Sequence, residues 1–211
     1  GMPDQWLASL EGVAMSVGPY ALNNSTKKTD LAQSTVSNVQ ISTGYQYIGL
    51  PSSIWNALCS SFQNSVQIAT PSSIYPGSNN VYCNSTSNVN KLLTMDPDAV
   101  GSTMDFNFTI AMKNTTNASV GYTINMYSLL TYIYNATDSF VSMLPFQDIG
   151  DSNEIILGQN FLGSFYTIFD NENAQLGLAV SSSNLVTTSG PWIGDYVAPN
   201  NGGGTSAFAV I

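Results

Sequence analysis

Histidine and arginine are absent from the 211 residues, and charge of either sign is scarce: four lysines face thirteen acidic side chains, only 8% of the chain is charged, and the net charge is -9. Without histidine, no Ser-His-Asp or Cys-His nucleophile and no imidazole metal site can be assembled. Carboxylates are then the obvious acid and base groups for any catalysis. The lysines (Lys27, Lys28, Lys91 and Lys113) are scattered, so no cationic patch exists to neutralise phosphates, and nucleic acid is not an expected partner. No cofactor or metal is expected. Cysteine is limited to Cys59 and Cys83, which fit one disulfide worth about 3 kcal/mol by the chain-entropy model, the alternative being two buried thiols. No signal peptide or membrane-length apolar run is visible, and a glycine ahead of Met2 reads as a tag-removal scar.

What is present suits a secreted β-protein. Hydrophobic residues make up 43% of the chain, ample for one core. N-x-[ST] acceptors occur at Asn23, Asn24, Asn84, Asn107, Asn114, Asn117 and Asn135, which points to a glycoprotein of the secretory pathway or cell surface. The tail "APNNGGGTSAFAVI" reads as a linker, with its Gly/Asn-rich part at 199–206, and any membrane association is expected only through an anchor outside this sequence. Residues 1–185 are taken as one domain and 186–211 as an irregular tail.

Short Val/Ile/Thr/Tyr/Phe runs recur between Asn/Ser/Gly clusters, the pattern of an all-β domain. "DFNFTIAM" (Asp105 to Met112) alternates cleanly, with Phe106, Phe108, Ile110 and Met112 on one face and Asn107 on the other. "SVGYTIN" and "SFYTIFD" read likewise. One clear helix follows Pro51, with Ser52 or Ser53 as N-cap and Ile54, Trp55, Leu58, Cys59 and Phe62 inward. This faces Cys59 toward the strand-like "NVYCN" that carries Cys83. A second short helix fits "LGQNFLGSFY". Surface loops are expected at Asn23–Lys28, Tyr75–Asn90 and Lys113–Ser119.

Four segments in order carry a resemblance: a Trp-led hairpin at Trp6 to Gly18, the turn "ISTG" (Ile41 to Gly44) with "IGLP" and a helix behind it, the "FNF" strand, and "ILGQNFLGSFYTIFDNENAQLGLA" (Ile156 to Ala179). Together they resemble the C-terminal lobe of pepsin-like aspartic proteases, over roughly residues 5 to 182. The resemblance implies an all-β single lobe, a six-stranded psi-type barrel with one or two short helices. In the family each lobe brings one aspartate to the interface on an Asp-Thr/Ser-Gly turn, and the two carboxylates share a proton and activate water. The glycine allows the tight turn, and the Ile156-Leu157-Gly158 element supports it.

Departures sit at the chemistry. Ser42 stands at the aspartate position, Tyr45 where Thr or Ser usually donates to that carboxylate, and Gln159 where aspartate is frequent. Thr43, Gly44, Ile156, Leu157 and Gly158 keep the pattern. Asp148, Asp151 and Glu154 read as solvated loop acids and Asp170 as a turn acid. The resemblance therefore implies a lobe with no intact catalytic residue, in a binding or structural role. Its implied partners are a second, N-terminal lobe or another copy of itself, with a peptide or protein as ligand. The competing expectation is one lobe of a working aspartic endopeptidase. A third, a sugar-binding module using Trp192, fits the "ILG…GLA" block poorly.

Overall fold

The computed structural model describes residues 6–18, 27–31, 35–69, 81–82, 92–95, 105–114, 116–129, 131–134, 140–173, 175–180 and 208–210. Its strands are β1 (Trp6–Gly18), β2 (Lys27–Asp30), β3 (Asn38–Ile41), β4 (Ile48–Leu50), β5 (Val81–Tyr82), β6 (Leu92–Met95), β7 (Asp105–Lys113), β8 (Ser119–Asn125), β9 (Thr131–Tyr134), β10 (Phe140–Asp148), β11 (Glu154–Leu157), β12 (Phe165–Asp170), β13 (Gln175–Val180) and β14 (Phe208–Val210). The two α-helices are α1 (Ser52–Ala69) and α2 (Gln159–Leu162). The all-β expectation holds, although the strands outnumber the six expected. Eleven join one sheet, and β12-β13-β14 form a second.

Alternation explains the main ribbon. In β7, Phe106, Phe108, Ile110 and Met112 are buried, while Asn107 and Thr109 on the opposite face are half-buried. Thr109 lies opposite Thr123 of β8, and their hydroxyls are hydrogen-bonded at 2.8 Å. Such cross-strand pairs fix register.

Trp6 to Gly18 is one thirteen-residue strand, not the hairpin expected from the sequence. Both of its edges are occupied: Trp6–Ser9 pair with β3, Ala14–Val17 with β2, and Leu10–Gly18 with β7. The bend is absorbed by a bulge between Leu10 and Gly12, an extra residue that kinks a strand without reversing it. That residue, Glu11, meets Lys113 at 3.1 Å.

Helix α1 packs as its spacing predicts. Ile54, Trp55, Leu58, Cys59 and Phe62 are all buried, and Phe62 stacks on Phe106 with ring centroids 4.4 Å apart. Its start differs from expectation, because the Pro51 carbonyl accepts the Trp55 N–H at 2.8 Å and Pro51 is thus the capping position. Ser52 lies inside the first turn and its hydroxyl donates to Asp148 Oδ1 at 2.7 Å. Cys59 is in the core, whereas Cys83 lies outside the described residues, and no described cysteine is free.

Two expected loops and the tail are corrected in part. Lys27 and Lys28 belong to β2, and Val81–Tyr82 forms β5 within the stretch read as loop. Phe208–Val210 adds to β13 as a third strand, so the end of the sequence-predicted irregular tail is paired. The β7–β8 connection is a loop as expected. Asn114 Oδ1 accepts from Thr116 N, Thr116 Oγ1 and Ala118 N, and Asn117 takes the left-handed φ of 62° that asparagine tolerates.

Candidate functional site

Strand β11 lies between β3 and β4, parallel to the first and antiparallel to the second. The turn that joins β3 to β4, residues 42–47, must therefore arch over the C-terminal end of β11. The Leu157 carbonyl accepts the Ser42 N–H at 3.0 Å. Immediately after it, α2 begins, and the N–H groups at a helix start lack partners within the helix. Here they find the turn. Gly158 N donates to the Tyr47 carbonyl (3.0 Å), Gln159 N to that of Tyr45 (2.7 Å) and Asn160 N to that of Gln46 (3.1 Å). Two side-chain amides add to this, Gln159 Nε2 donating to the Thr43 carbonyl and Asn160 Nδ2 to the Gln46 carbonyl, each at 2.8 Å.

Ile156, Leu157 and Gly158 thus sit beside the Ser42-Thr43-Gly44 turn. Gly158 is buried so tightly that an added Cβ would enter the Tyr45 and Tyr47 carbonyl oxygens and lie 2.8 Å from the Tyr45 carbonyl carbon. Gly44 is the reverse. It is exposed, its φ lies outside the left-handed region, and a Cβ there would meet nothing within 4 Å. The demand for glycine that was expected at Gly44 falls on Gly158 in this chain.

At the tip, Ser42 is half-buried and Thr43 exposed. Tyr45 does not serve Ser42 through its hydroxyl, which donates to Gln147 Oε1 on β10. Its ring stands edge-on to Tyr47, centroids 6.3 Å apart. Burial, and secondarily the nearby Tyr47, raises the Tyr45 pKa above the ordinary tyrosine value, so the phenol stays a neutral donor. Gln147 escaped the sequence reading because a polar residue in "PFQD" carries no periodic signal.

The acids lie elsewhere. Asp148 pairs with Leu50, the end of β4 away from the turn, and Glu154 opens β11 three residues before Leu157, on the order of 10 Å of strand from the turn. Asp148 is half-buried rather than solvated, with Oδ1 accepting from Ser52 Oγ and from Gly150 N at 2.9 Å. Asp151 is exposed. Asp170 is a turn acid as expected. Asn173 Nδ2 donates to its Oδ2 at 2.7 Å, and the Asn173 and Glu172 N–H groups donate to its Oδ1, which together lower its pKa.

Beside the turn runs an open groove of about 480 Å³ lined by Thr43, Gln159, Leu162, Gly163, Phe165, Tyr166 and Thr167, none charged. Sequence reasoning did not single it out, although Tyr166 and Ile168 sit two apart on one face of β12 and are both exposed, at 69% and 44%. Among the described residues, no group of three or more His, Cys, Asp or Glu could hold a metal ion, and no helix is long and apolar enough to cross a membrane.

Of the glycosylation candidates, Asn107 is half-buried on β7, Asn114 half-buried and Asn117 exposed in the β7–β8 connection. Asn23, Asn24, Asn84 and Asn135, and also Trp192, lie outside the described residues.

No curated protein sequence matches the chain. Among solved structures it is similar to the crystal structure of basic 7S globulin from soybean, at 15% identity and a TM-score of 0.47, over 83% of this chain and 42% of that one. The chain thus spans less than half the length of that protein. The family model for eukaryotic aspartyl proteases matches residues 8–181. With the turn, its supporting strand and the closing block all inside that match, the chain belongs to the eukaryotic aspartyl protease family.

Proposed function

We propose that this is a catalytically inactive aspartic-protease-like lobe of a secreted, disulfide-containing glycoprotein, serving in binding or structure. The observation that carries the reading is the turn itself. Ser42 occupies its first position, the Tyr45 hydroxyl is committed to Gln147, and the acids lie away from it, Asp148 on β10 opposite the far end of β4 and Glu154 at the start of β11. A serine hydroxyl titrates far above the range in which a carboxylate pair shares a proton, so it cannot act as half of such a dyad. The turn is nonetheless held by five hydrogen bonds from residues 158–160, support that suits a rigid, uncharged recognition surface for a peptide or protein.

Family membership favours a second reading, one lobe of an active two-lobe endopeptidase that cleaves peptide bonds through an aspartate dyad. The full-length protein, assayed at acid pH on a denatured protein substrate, separates the two. The expected result is no pepstatin-sensitive cleavage by the natural protein. Pepstatin-sensitive turnover that survives Ser42→Ala would instead sink the inactive reading.

A further inference from the structure

We infer that Asn117 is the N-glycosylation site of the β7–β8 hairpin, and that Asn107 and Asn114, which carry the same acceptor pattern, stay unmodified. The inference rests on the secreted-glycoprotein reading proposed above and names the site that reading leaves open.

Three acceptors follow one another along the hairpin: Asn107 with Thr109 in β7, Asn114 with Thr116 in the connection, and Asn117 with Ser119 at the start of β8. In the transfer, the asparagine Nδ2 forms a bond to the anomeric carbon of a lipid-diphosphate-linked oligosaccharide. The bond from that carbon to the diphosphate oxygen breaks, the diphosphate leaves with the electron pair, and Nδ2 sheds one proton to a base of the transferase. The pattern also demands the hydroxyl two residues on. A usable acceptor thus needs a carboxamide and a hydroxyl that are not already engaged, with solvent around them for the sugar.

Two of the three have spent these groups. Asn107 is half-buried in a strand paired on both sides, and its Thr109 hydroxyl is bonded to Thr123 at 2.8 Å. Asn114 is half-buried, and its Oδ1 accepts from Thr116 N (3.1 Å), Thr116 Oγ1 (2.8 Å) and Ala118 N (2.8 Å). The hydroxyl that its own pattern requires is therefore tied to its own carboxamide. These bonds span four residues or fewer, so this turn closes without help from the rest of the lobe.

Asn117 differs at each point. It is exposed between the exposed Thr116 and Ala118. Its backbone is held by the left-handed φ of 62° and by its N–H, which donates to the Asn114 carbonyl at 2.9 Å. Its carboxamide engages no partner among the described residues. Of the three acceptor hydroxyls, Ser119 Oγ is the one without a hydrogen-bond partner. That atom is buried in the finished lobe, so transfer precedes the packing of β8, at a stage when the Asn114 turn has already claimed the neighbouring acceptor.

The experiment secretes the 211-residue chain from a eukaryotic host, removes N-glycans enzymatically in heavy-oxygen water, and maps by peptide mass spectrometry which asparagines have become heavy-oxygen aspartate. Label is expected at Asn117 and absent from Asn107 and Asn114. Ser119→Ala should abolish the label at Asn117. Asn117→Gly, which keeps the positive φ accessible, should leave Asn114 unlabelled. Label that moves to Asn114 in this variant would show that Asn114 had been blocked only by an occupied neighbour, which overturns the inference. Label at Asn107 or Asn114 in the natural chain overturns it as well. Label confined to Asn23, Asn24, Asn84 or Asn135 overturns it while sparing the glycoprotein reading, whereas no label anywhere sinks both.

Discussion

Replacing Gly158 by alanine would put a methyl group where β11 passes under the turn. The new carbon would lie 2.8 Å from the Tyr45 carbonyl carbon, against the roughly 3.5–4.0 Å at which two carbons rest. The obstacle is backbone on both sides, so no side chain can rotate away. Relief requires the turn to lift from α2, which strains the bonds from Gly158 N, Gln159 N and Asn160 N to the carbonyls of Tyr47, Tyr45 and Gln46. Losing two of these at about 1 kcal/mol net each, with a further 1–3 kcal/mol of overpacking, gives a destabilisation of about 3–5 kcal/mol. Urea unfolding followed by tryptophan fluorescence reads it, since Trp55 is only 1% exposed. Gly44→Ala is the control and should stay within about 0.5 kcal/mol of wild type, as for surface substitutions generally, because its Cβ meets nothing within 4 Å. A Gly158→Ala protein with an unchanged midpoint, or a Gly44→Ala protein that loses as much, would refute the reasoning.

Tyr45→Phe removes the hydroxyl that donates to Gln147 and should cost about 1 kcal/mol in the same assay. Because the folded pKa of Tyr45 is raised by burial and then by Tyr47, the bond contributes fully below the ordinary value of about 10. It is lost as pH rises through the folded value. The gap between wild type and Tyr45→Phe should therefore stay constant up to that ordinary value and narrow above it. Asp148→Ala strips the acceptor from Ser52 in the first turn of α1 and from Gly150 N. It should lower stability by about 1–3 kcal/mol, with Asp148→Asn recovering most of this in a thermal melt.

Elements whose signal is local were legible in the sequence. The inward stripe of α1 repeats at i and i+4 and the strand β7 at every second residue, and both bury the residues those spacings name. The bulge at Glu11 was not legible, because what keeps Trp6 to Gly18 extended is a partner on each edge, supplied from residues 27–41 and 105–113. The site was half legible. Ile156-Leu157-Gly158 was placed against the Ser42 turn through resemblance, and Tyr45 was read as no longer a donor to position 42. Periodicity could not reveal where that hydroxyl goes, 102 residues away on Gln147. Nor could it show that Asp148 braces a helix start, or that three residues after a glycine run would pair with β13.

The insertion of β11 between β3 and β4 also dictates an order of events. A chain leaving the ribosome holds residues 38–50 long before residues 154–157, so two neighbouring strands must wait, apart, for the one that separates them. The Thr43 turn waits as long as β3 does, since its bond to Gln159 spans 116 positions. Contacts of such sequence separation slow folding, and the waiting strands keep unpaired edges exposed meanwhile. The surface around Ser42 thus forms only in chains that already extend to residues 157–160, whose hydrogen bonds hold the turn.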